Sequence, residues 1–590
     1  MGNILVSYSE SWSICVFSQT VLWCCFVLYL IFKFVIFKPW SSATYQRRAL
    51  ERVSKKRTDE FHQWKELVET DDEDIIAQRK KIVSLSLFEL REKLQKEELT
   101  ASETLTAYIW KMLQVQERIN CCTVIIKEAV ELAKSLDEKW AGRSDKPTLF
   151  GIPFSVKDNF YMDGYDCAVG LAKFVEQPKS TDCSFVVHLT NLGGVPFVRT
   201  NVPQALLSFV CSNSVYGTTL NPHDVTRTPG GSSGGEAALL AAGGTPFAIG
   251  SDLAGSLRIP AVMCGITTLK PTQDRFVVTG SHGGVPGRSR LGLSFGFFSK
   301  SVEEQIFLLK TTLGTSEYRE VTPLSVYSPL IDSKLEAQRP LRIGYFDFDG
   351  FSLPVPSMRR AVIDTVEKLK ASGHTMVRFT VPDVDVMANL LYKEVMPDGG
   401  AYARSLFEND IVDPYMKQFA TLLKIPRCLR WVSCIISRIS PQLALIAQSY
   451  VGGLEDLRIT NEQVDEYRLK FVDYWKSSGV DALICPGFLT PAVPHNYPSR
   501  MALAAVSTGI FNLIDFPAGV VPTGAVTSED DDALMNEKEF PVGYNFAQRI
   551  VREACTKTVG LPIGVQVVTL PFEEELCLRL MGEVEKLWAN

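Results

Sequence analysis

Histidine is scarce in this chain: six among 590 residues, His62, His188, His223, His282, His374 and His495, each isolated from the others. None of the 14 cysteines falls into a paired Cys-x-x-Cys ladder, so the spacing offers no zinc site and no other metal is expected. An excess of positive charge is missing too. With 61 Lys and Arg against 67 Asp and Glu the net charge is -6, which gives no electrostatic reason to expect nucleic acid as a partner. Tandem repeats, sustained heptads and long low-complexity linkers are also absent, which favours one compact catalytic domain over a string of modules. Hydrophobic residues make up 46% and charged residues 22%, enough to bury a large core and too apolar for disorder. Scattered cysteines, including the adjacent pairs Cys24-Cys25 and Cys121-Cys122, read as reduced thiols of a protein facing the cytosol.

One stretch lacks charge altogether. Ile14 to Phe32, about 19 residues, would span about 28 Å as a helix, close to a bilayer core of about 30 Å. No basic region precedes it and no small-residue cleavage pattern follows, which separates it from a signal peptide. Only Glu10 is charged before it, whereas Lys33, Lys38, Arg47, Arg48, Arg52, Lys55, Lys56 and Arg57 follow, so the large C-terminal part is expected in the cytosol. The division expected is a short segment 1–13, a transmembrane anchor 14–37, a basic juxtamembrane and helical scaffold 38–140, and a catalytic domain 141–590.

From Thr58 to about Trp140 the pattern is helical. Ser86 with Glu89 and Thr100 with Glu103 read as capping boxes, and Leu105, Ile109, Met112 and Ile119 fall near one face. Beyond Trp140, runs rich in Val, Ile and Phe alternate with helical ones: Leu149–Val156, Gly194–Arg199, Thr245–Gly250, Leu341–Phe346, Ala482–Pro486, Ala518–Val521 and Pro562–Val568. Such alternation implies an α/β protein, a mixed twisted sheet surrounded by helices. Met358, Val362, Val366 and Leu369 mark a helix face that Gly373 can terminate. The acidic run Glu529 to Asp532 reads as a solvated loop.

Chemistry is concentrated in three short segments: Pro153-Phe154-Ser155-Val156-Lys157-Asp158, Gly230-Gly231-Ser232-Ser233-Gly234-Gly235, and Asp252-Leu253-Ala254-Gly255-Ser256-Leu257-Arg258-Ile259-Pro260. The glycine loop alone is a weak motif. It is followed by helix formers, unlike a linker, and lacks the Gly-Lys-Ser/Thr ending of a phosphate-binding loop. Together, in the order Lys, Ser, Ser, the segments resemble the amidase signature family, and the resemblance covers nearly all of the chain after its first hundred residues. It implies acyl transfer with no cofactor, on a Ser-Ser-Lys triad of Ser256 as nucleophile, Ser232 as bridging serine after a cis peptide bond, and Lys157 as base.

A serine nucleophile needs a neighbouring base, and a lysine is a base only when neutral, which burial away from an unscreened carboxylate favours. Asp158 is therefore expected to point away from the Lys157 amine. The backbone N–H groups of Leu253, Ala254, Gly255 and Ser256 are expected to meet the oxyanion. Asp252, Arg258 and Ser233 match polar residues that support the nucleophile loop in the family. The chain departs from the family at Ala254, where glycine is usual; a positive φ there would strain alanine by about 1 to 2 kcal/mol.

Two further segments bear on the substrate. Asn201 to Phe209, followed by Cys211-Ser212-Asn213, resembles the acyl-channel segment of family members that cleave fatty acid amides, which makes Leu206, Leu207, Ser208 and Phe209 candidate acyl contacts. Between about 413 and 445, Phe419, Leu422, Leu423, Trp431 and Ile435 are interleaved with Lys424, Arg427, Arg430 and Arg438, as in a basic amphipathic hairpin lying in a membrane interface. In those family members the corresponding region is a cap through which a lipid enters. The expectation is thus a membrane-anchored serine hydrolase that takes a lipid amide from the bilayer of an intracellular membrane such as the endoplasmic reticulum and releases fatty acid and amine. The resemblance adds a homodimer. Rival readings are a hydrolase of another hydrophobic amide or ester, and a catalytically weak, membrane-attached lipid-binding protein.

Overall fold

The computed structural model describes residues 38–425 and 440–589. The expected anchor at 14–37 lies outside the described residues, as do Trp431 and Ile435 of the expected cap. Among the described residues no helix is long and apolar enough to cross a membrane.

Thirteen strands are described in chain order: β1 Cys122–Ile125, β2 Pro153–Lys157, β3 Val195–Thr200, β4 Ser212–Asn213, β5 Gly217–Thr218, β6 Phe247–Asp252, β7 Thr267–Lys270, β8 Ser294–Ser299, β9 Arg342–Tyr345, β10 Thr375–Arg378, β11 Ala482–Pro486, β12 Ala518–Ala525 and β13 Pro562–Val568. Eleven of them form one sheet in the order β1-β3-β2-β6-β8-β7-β12-β13-β11-β9-β10, while β4 and β5 pair separately. Parallel pairing of β2 with β3 and β6, and of β9 with β10 and β11, is joined by an antiparallel centre. The mixed α/β architecture follows the sequence pattern, and all seven expected runs contain strands.

β2, β6 and β13 are buried along their whole length, because helices cover both faces of the sheet. Phe154, Phe185, Phe247, Phe295 and Phe297 stack around the β2–β6 half, with Phe154 and Phe247 centroids 5.3 Å apart. This packed floor fixes the ends of β2 and β6.

Both capping boxes form: Ser86 with Glu89, and Thr100 with Glu103. Leu105, Ile109, Met112 and Ile119 are buried on the helix Ala101–Ile119, and Met358, Val362, Val366 and Leu369 on the helix Pro356–Ala371, after which Gly373 takes φ 96°. Two readings are corrected. Within the segment read as helical, Cys122–Ile125 is the sheet's edge strand β1, antiparallel to β3; its four residues are too few to break a helical pattern. The acidic run belongs to the helix Ser528–Met535, where Thr527 and Asp530 form a capping box and the buried Asp530 pairs with Arg360 at 2.8 Å. Glu529 and Asp532 are exposed, and a run of four acidic residues does not reveal which of them is buried.

Candidate active site

β2 and β6 run parallel side by side, so Lys157 at the end of β2 and Ser251-Asp252 at the end of β6 emerge at the same edge of the sheet. The loop carrying Ser232 and Ser233 precedes the helix Gly234–Ala241, and Ser256 lies in the turn between β6 and the helix Arg258–Cys264. Three connections thus converge above one sheet edge, the usual place for ligands in open α/β sheets.

Lys157 is fully buried, at 0% exposure. Its Nζ lies 2.9 Å from Ser232 Oγ, 2.9 Å from Ser251 Oγ and 3.3 Å from the Ser251 carbonyl oxygen. No carboxylate is among these contacts. Burial pulls the ammonium down to about 7, against the opposing pull of Asp252 and Glu236. A neutral amine has two N–H bonds and one lone pair. Two donations, to the Ser251 carbonyl and hydroxyl, leave the lone pair for the hydroxyl proton of Ser232.

Asp158 turns elsewhere, as expected. Its Oδ2 accepts the Val169 N–H at 2.8 Å, and its Oδ1 stands 3.5 Å from Arg199, beyond a hydrogen bond. Burial pushes this carboxyl up to about 6, with Arg199 pulling the other way.

The Gly231–Ser232 peptide is cis. Ser233 ties the two serine loops together: its N–H donates to the Ser256 carbonyl at 3.2 Å and its Oγ to the Ser251 carbonyl at 3.3 Å. Ser256 is partly exposed, whereas Ser232 is 3% exposed and Lys157 is sealed beneath, so reactivity is layered from the opening inward.

Asp252 organises the Ser256 turn. Its carboxylate accepts the N–H groups of Gly255 (2.7 Å) and Leu257 (3.0 Å), both arms of Arg258 (3.0 and 3.1 Å) and Asn512 Nδ2 (2.9 Å). Burial alone would raise the carboxyl. The Arg258 charge, with hydrogen bonds from Arg258, Asn512 and Gly255, outweighs it and holds Asp252 below the usual carboxylate range. Arg258 also donates to Gln566 Oε1 (2.8 Å), Asn512 Oδ1 (2.5 Å) and the Thr508 carbonyl (2.9 Å).

This network distinguishes among the N–H groups expected to meet the oxyanion. The Gly255 N–H is already given to Asp252, while the N–H groups of Leu253, Ala254 and Ser256 have no hydrogen-bond partner among the described residues. Concern over Ala254 also falls away. Positive φ, 117°, belongs to Gly255, where an added Cβ would stand 2.2 Å from Thr508 Oγ1; Ala254 does not adopt it.

The candidate acyl contacts meet the described part of the cap. Leu206, Leu207, Phe419 and Leu423 pack around one apolar cluster built on Val169, Leu171, Ala205 and Val210. Phe209 packs edge-on against Phe488 at 5.4 Å, and Ser208 Oγ accepts the Val210 N–H at 3.1 Å. An added Cβ on Gly231 would stand 3.1 Å from the Ser208 carbonyl and from Phe209 Cα, so this segment abuts the Ser232 loop. Leu422 and Ile425 remain exposed, at 53% and 42%.

Ser251, Asn159 (whose Nδ2 donates to Ser251 Oγ at 3.3 Å), Glu236, Asn512 and Gln566 were not singled out from sequence. Ser251 directly precedes the Asp252 segment, and that adjacency was its signal; Asn512 and Gln566 reach the site from distant elements and had none. Among the described residues no group of three or more His, Cys, Asp or Glu side chains is disposed to hold a metal ion.

The amidase family model matches residues 103–578. The chain belongs to the amidase family. It is 35% identical over 542 residues to Fatty acid amide hydrolase 1 of Caenorhabditis elegans, covering 91% of this chain and 94% of that one. To Fatty-acid amide hydrolase 1 of Sus scrofa it is 35% identical, covering 86% of each. A solved fatty acid amide hydrolase shares the fold, with TM-score 0.79 and 22% identity over 92% of this chain and 95% of that chain.

Proposed function

We propose that this amidase is a membrane-anchored serine hydrolase that cleaves long-chain fatty acid amides through an acyl enzyme on Ser256. The contact of Lys157 Nζ with Ser232 Oγ, in a buried pocket without a carboxylate contact, carries the reading. Ser256 attacks the amide carbonyl while its hydroxyl proton passes to Ser232, whose own proton passes to the neutral Lys157. The N–H groups of Leu253, Ala254 and Ser256 meet the oxyanion; loss of one such donor costs about 2.7 to 4 kcal/mol in other hydrolases. As the intermediate collapses, the C–N bond breaks and the relay runs backwards to protonate the leaving amine, which otherwise leaves poorly. Water then attacks the acyl enzyme by the same route, releasing fatty acid and restoring Ser256.

Asp252 and Arg258 hold the nucleophile turn, and Ser233 holds that turn to the Ser232 loop. The lipid substrate rests on two supports. Relatives 35% identical over most of the chain are named fatty acid amide hydrolases, and Leu206, Leu207, Phe419 and Leu423 pack on one apolar cluster, with Leu206 and Leu207 next in sequence to the Ser208–Phe209 pair that abuts the Ser232 loop. Exposed Leu422 and Ile425 suit a cap in the membrane interface, and the charge-free run from Ile14 suits an anchor with the catalytic body in the cytosol. A homodimer in an intracellular membrane completes the reading.

Purified protein incubated with oleoylamide and with a short-chain amide tests it. Preferential turnover of oleoylamide, abolished by Ser256→Ala, is expected. Equal turnover of both, or none of the long chain, overturns the substrate assignment; absence of Ser256-dependent labelling by a fluorophosphonate overturns the nucleophile.

A further inference from the structure

A second buried acid stands beside the base with no part in the relay. Glu236, in the first turn of the helix Gly234–Ala241, is 0% exposed. Its Oε1 accepts Thr200 Oγ1 at 2.7 Å, and its Oε2 accepts the Ser155 hydroxyl. Both hydroxyls border Lys157. Ser155 lies two residues before it on β2, on the same face of the strand, and Thr200 is the residue paired with Lys157 across the β2–β3 ladder. The helix presses close enough that an added Cβ on Gly235 would stand 2.4 Å from the Asn201 nitrogen. Glu236 therefore joins the helix that follows Ser232 to the two strands flanking the amine.

Glu236 makes no contact with Lys157, yet each acts on the other electrostatically. Cys122 on β1 also feels the charge of Glu236. Cys211, packed against this helix at Gly234, also acts on Lys157, while other buried ionisable groups on the packed elements interact elsewhere: Arg199 on β3 with Asp158, Tyr108 on the helix Ala101–Ile119 with Glu304, Arg258 with Asp252, and Cys264 with the Pro229 carbonyl. Lys157 is thus the cation that ionised Glu236 would hold.

We infer that Glu236 is a positioning residue that shares one proton with Lys157, so that while the pair holds that proton the amine is free as a base only in the form in which Glu236 is the uncharged acid. The inference rests on Lys157 being the base. Burial supports it by pushing Glu236 up to about 8, against its two hydroxyl bonds and Lys157, while burial pulls Lys157 down to about 7. With one proton between them, the pair exists as neutral amine with neutral acid, or as ammonium with carboxylate. Low polarity favours the first, but any carboxylate stabilises the ammonium and delays the appearance of the base as pH rises. The hydroxyls of Ser155 and Thr200 favour the carboxylate and so set the balance between the two forms.

The test is the pH dependence of Ser256 labelling by a fluorophosphonate, which reads the base without any amide substrate. In Glu236→Gln the midpoint of the rise is expected to move down by about 0.5 pH unit or more, since the amide cannot ionise. Thr200→Val, which removes one hydroxyl at constant shape, is expected to move it down by less, and carries the test if Glu236→Gln does not fold. Folded variants whose midpoints coincide with that of the unsubstituted protein, or lie above it, overturn the inference. No Ser256-dependent labelling of the unsubstituted protein at any pH would instead overturn the catalytic reading on which it rests.

Discussion

Lys157 and Arg258 are both fully buried cations at one edge of one sheet, and they are treated in opposite ways. Arg258 is given a carboxylate at 3.0 Å, two side-chain amides and a carbonyl, so its charge is compensated in full. Lys157 is given two hydroxyls and a carbonyl, none of which can offset a charge. Burial is the same for both; only Arg258 is given a counter-charge in contact. One group is a fixed strut and the other a base, and a few ångströms of polar selection separate the two outcomes.

The largest break in this comparison comes from exchanging each cation for an apolar chain of similar length. Lys157→Met is expected to cut hydrolysis by up to about 10⁴-fold, the upper range for loss of a general base, while the melting temperature holds or rises because no buried amine remains. Arg258→Met is expected to lose about 3 to 5 kcal/mol of stability in denaturant unfolding, because Asp252 is left buried without its cation. Similar stability losses in the two variants would dissolve the contrast.

Titration sharpens it further. Lys157 in the folded chain loses its proton near 7, below its ordinary 10.5, so the folded state binds fewer protons than the unfolded one between those values and stability rises with pH across that window. Asp252 is held below its ordinary 3.8, so its contribution is present above 3.8 and is lost as pH falls toward its lowered value.

Much of the site was legible because its residues cluster in three short motifs. Lys157, Ser232, Ser233, Asp252 and Arg258 converge on one sheet edge through strand ends that the hydrophobic runs had marked. What stayed hidden was relational. That Gly255 donates its N–H to Asp252 depends on the curl of one turn, and the same curl places positive φ at Gly255 and spares Ala254. Asn512 and Gln566 reach Arg258 from elements more than 250 residues away, a distance over which spacing carries no signal. Glu236 reads as a helix former in the sequence, and only the pairing of β2 with β3 reveals the carboxyl beneath the base. Strands β7 and β10 were missed because four residues show neither clean alternation nor length, and β8 because Gly296 interrupts its Phe-rich run.

The central claim is that Lys157 works as a neutral base because it is buried with no carboxylate in contact with its amine. The pH dependence of kcat/KM for hydrolysis of a long-chain amide measures this most directly. A rise with its midpoint near 7, absent from the residual activity of Lys157→Met, is the predicted result. A midpoint close to the ordinary 10.5, or a profile unchanged by Lys157→Met, would contradict it.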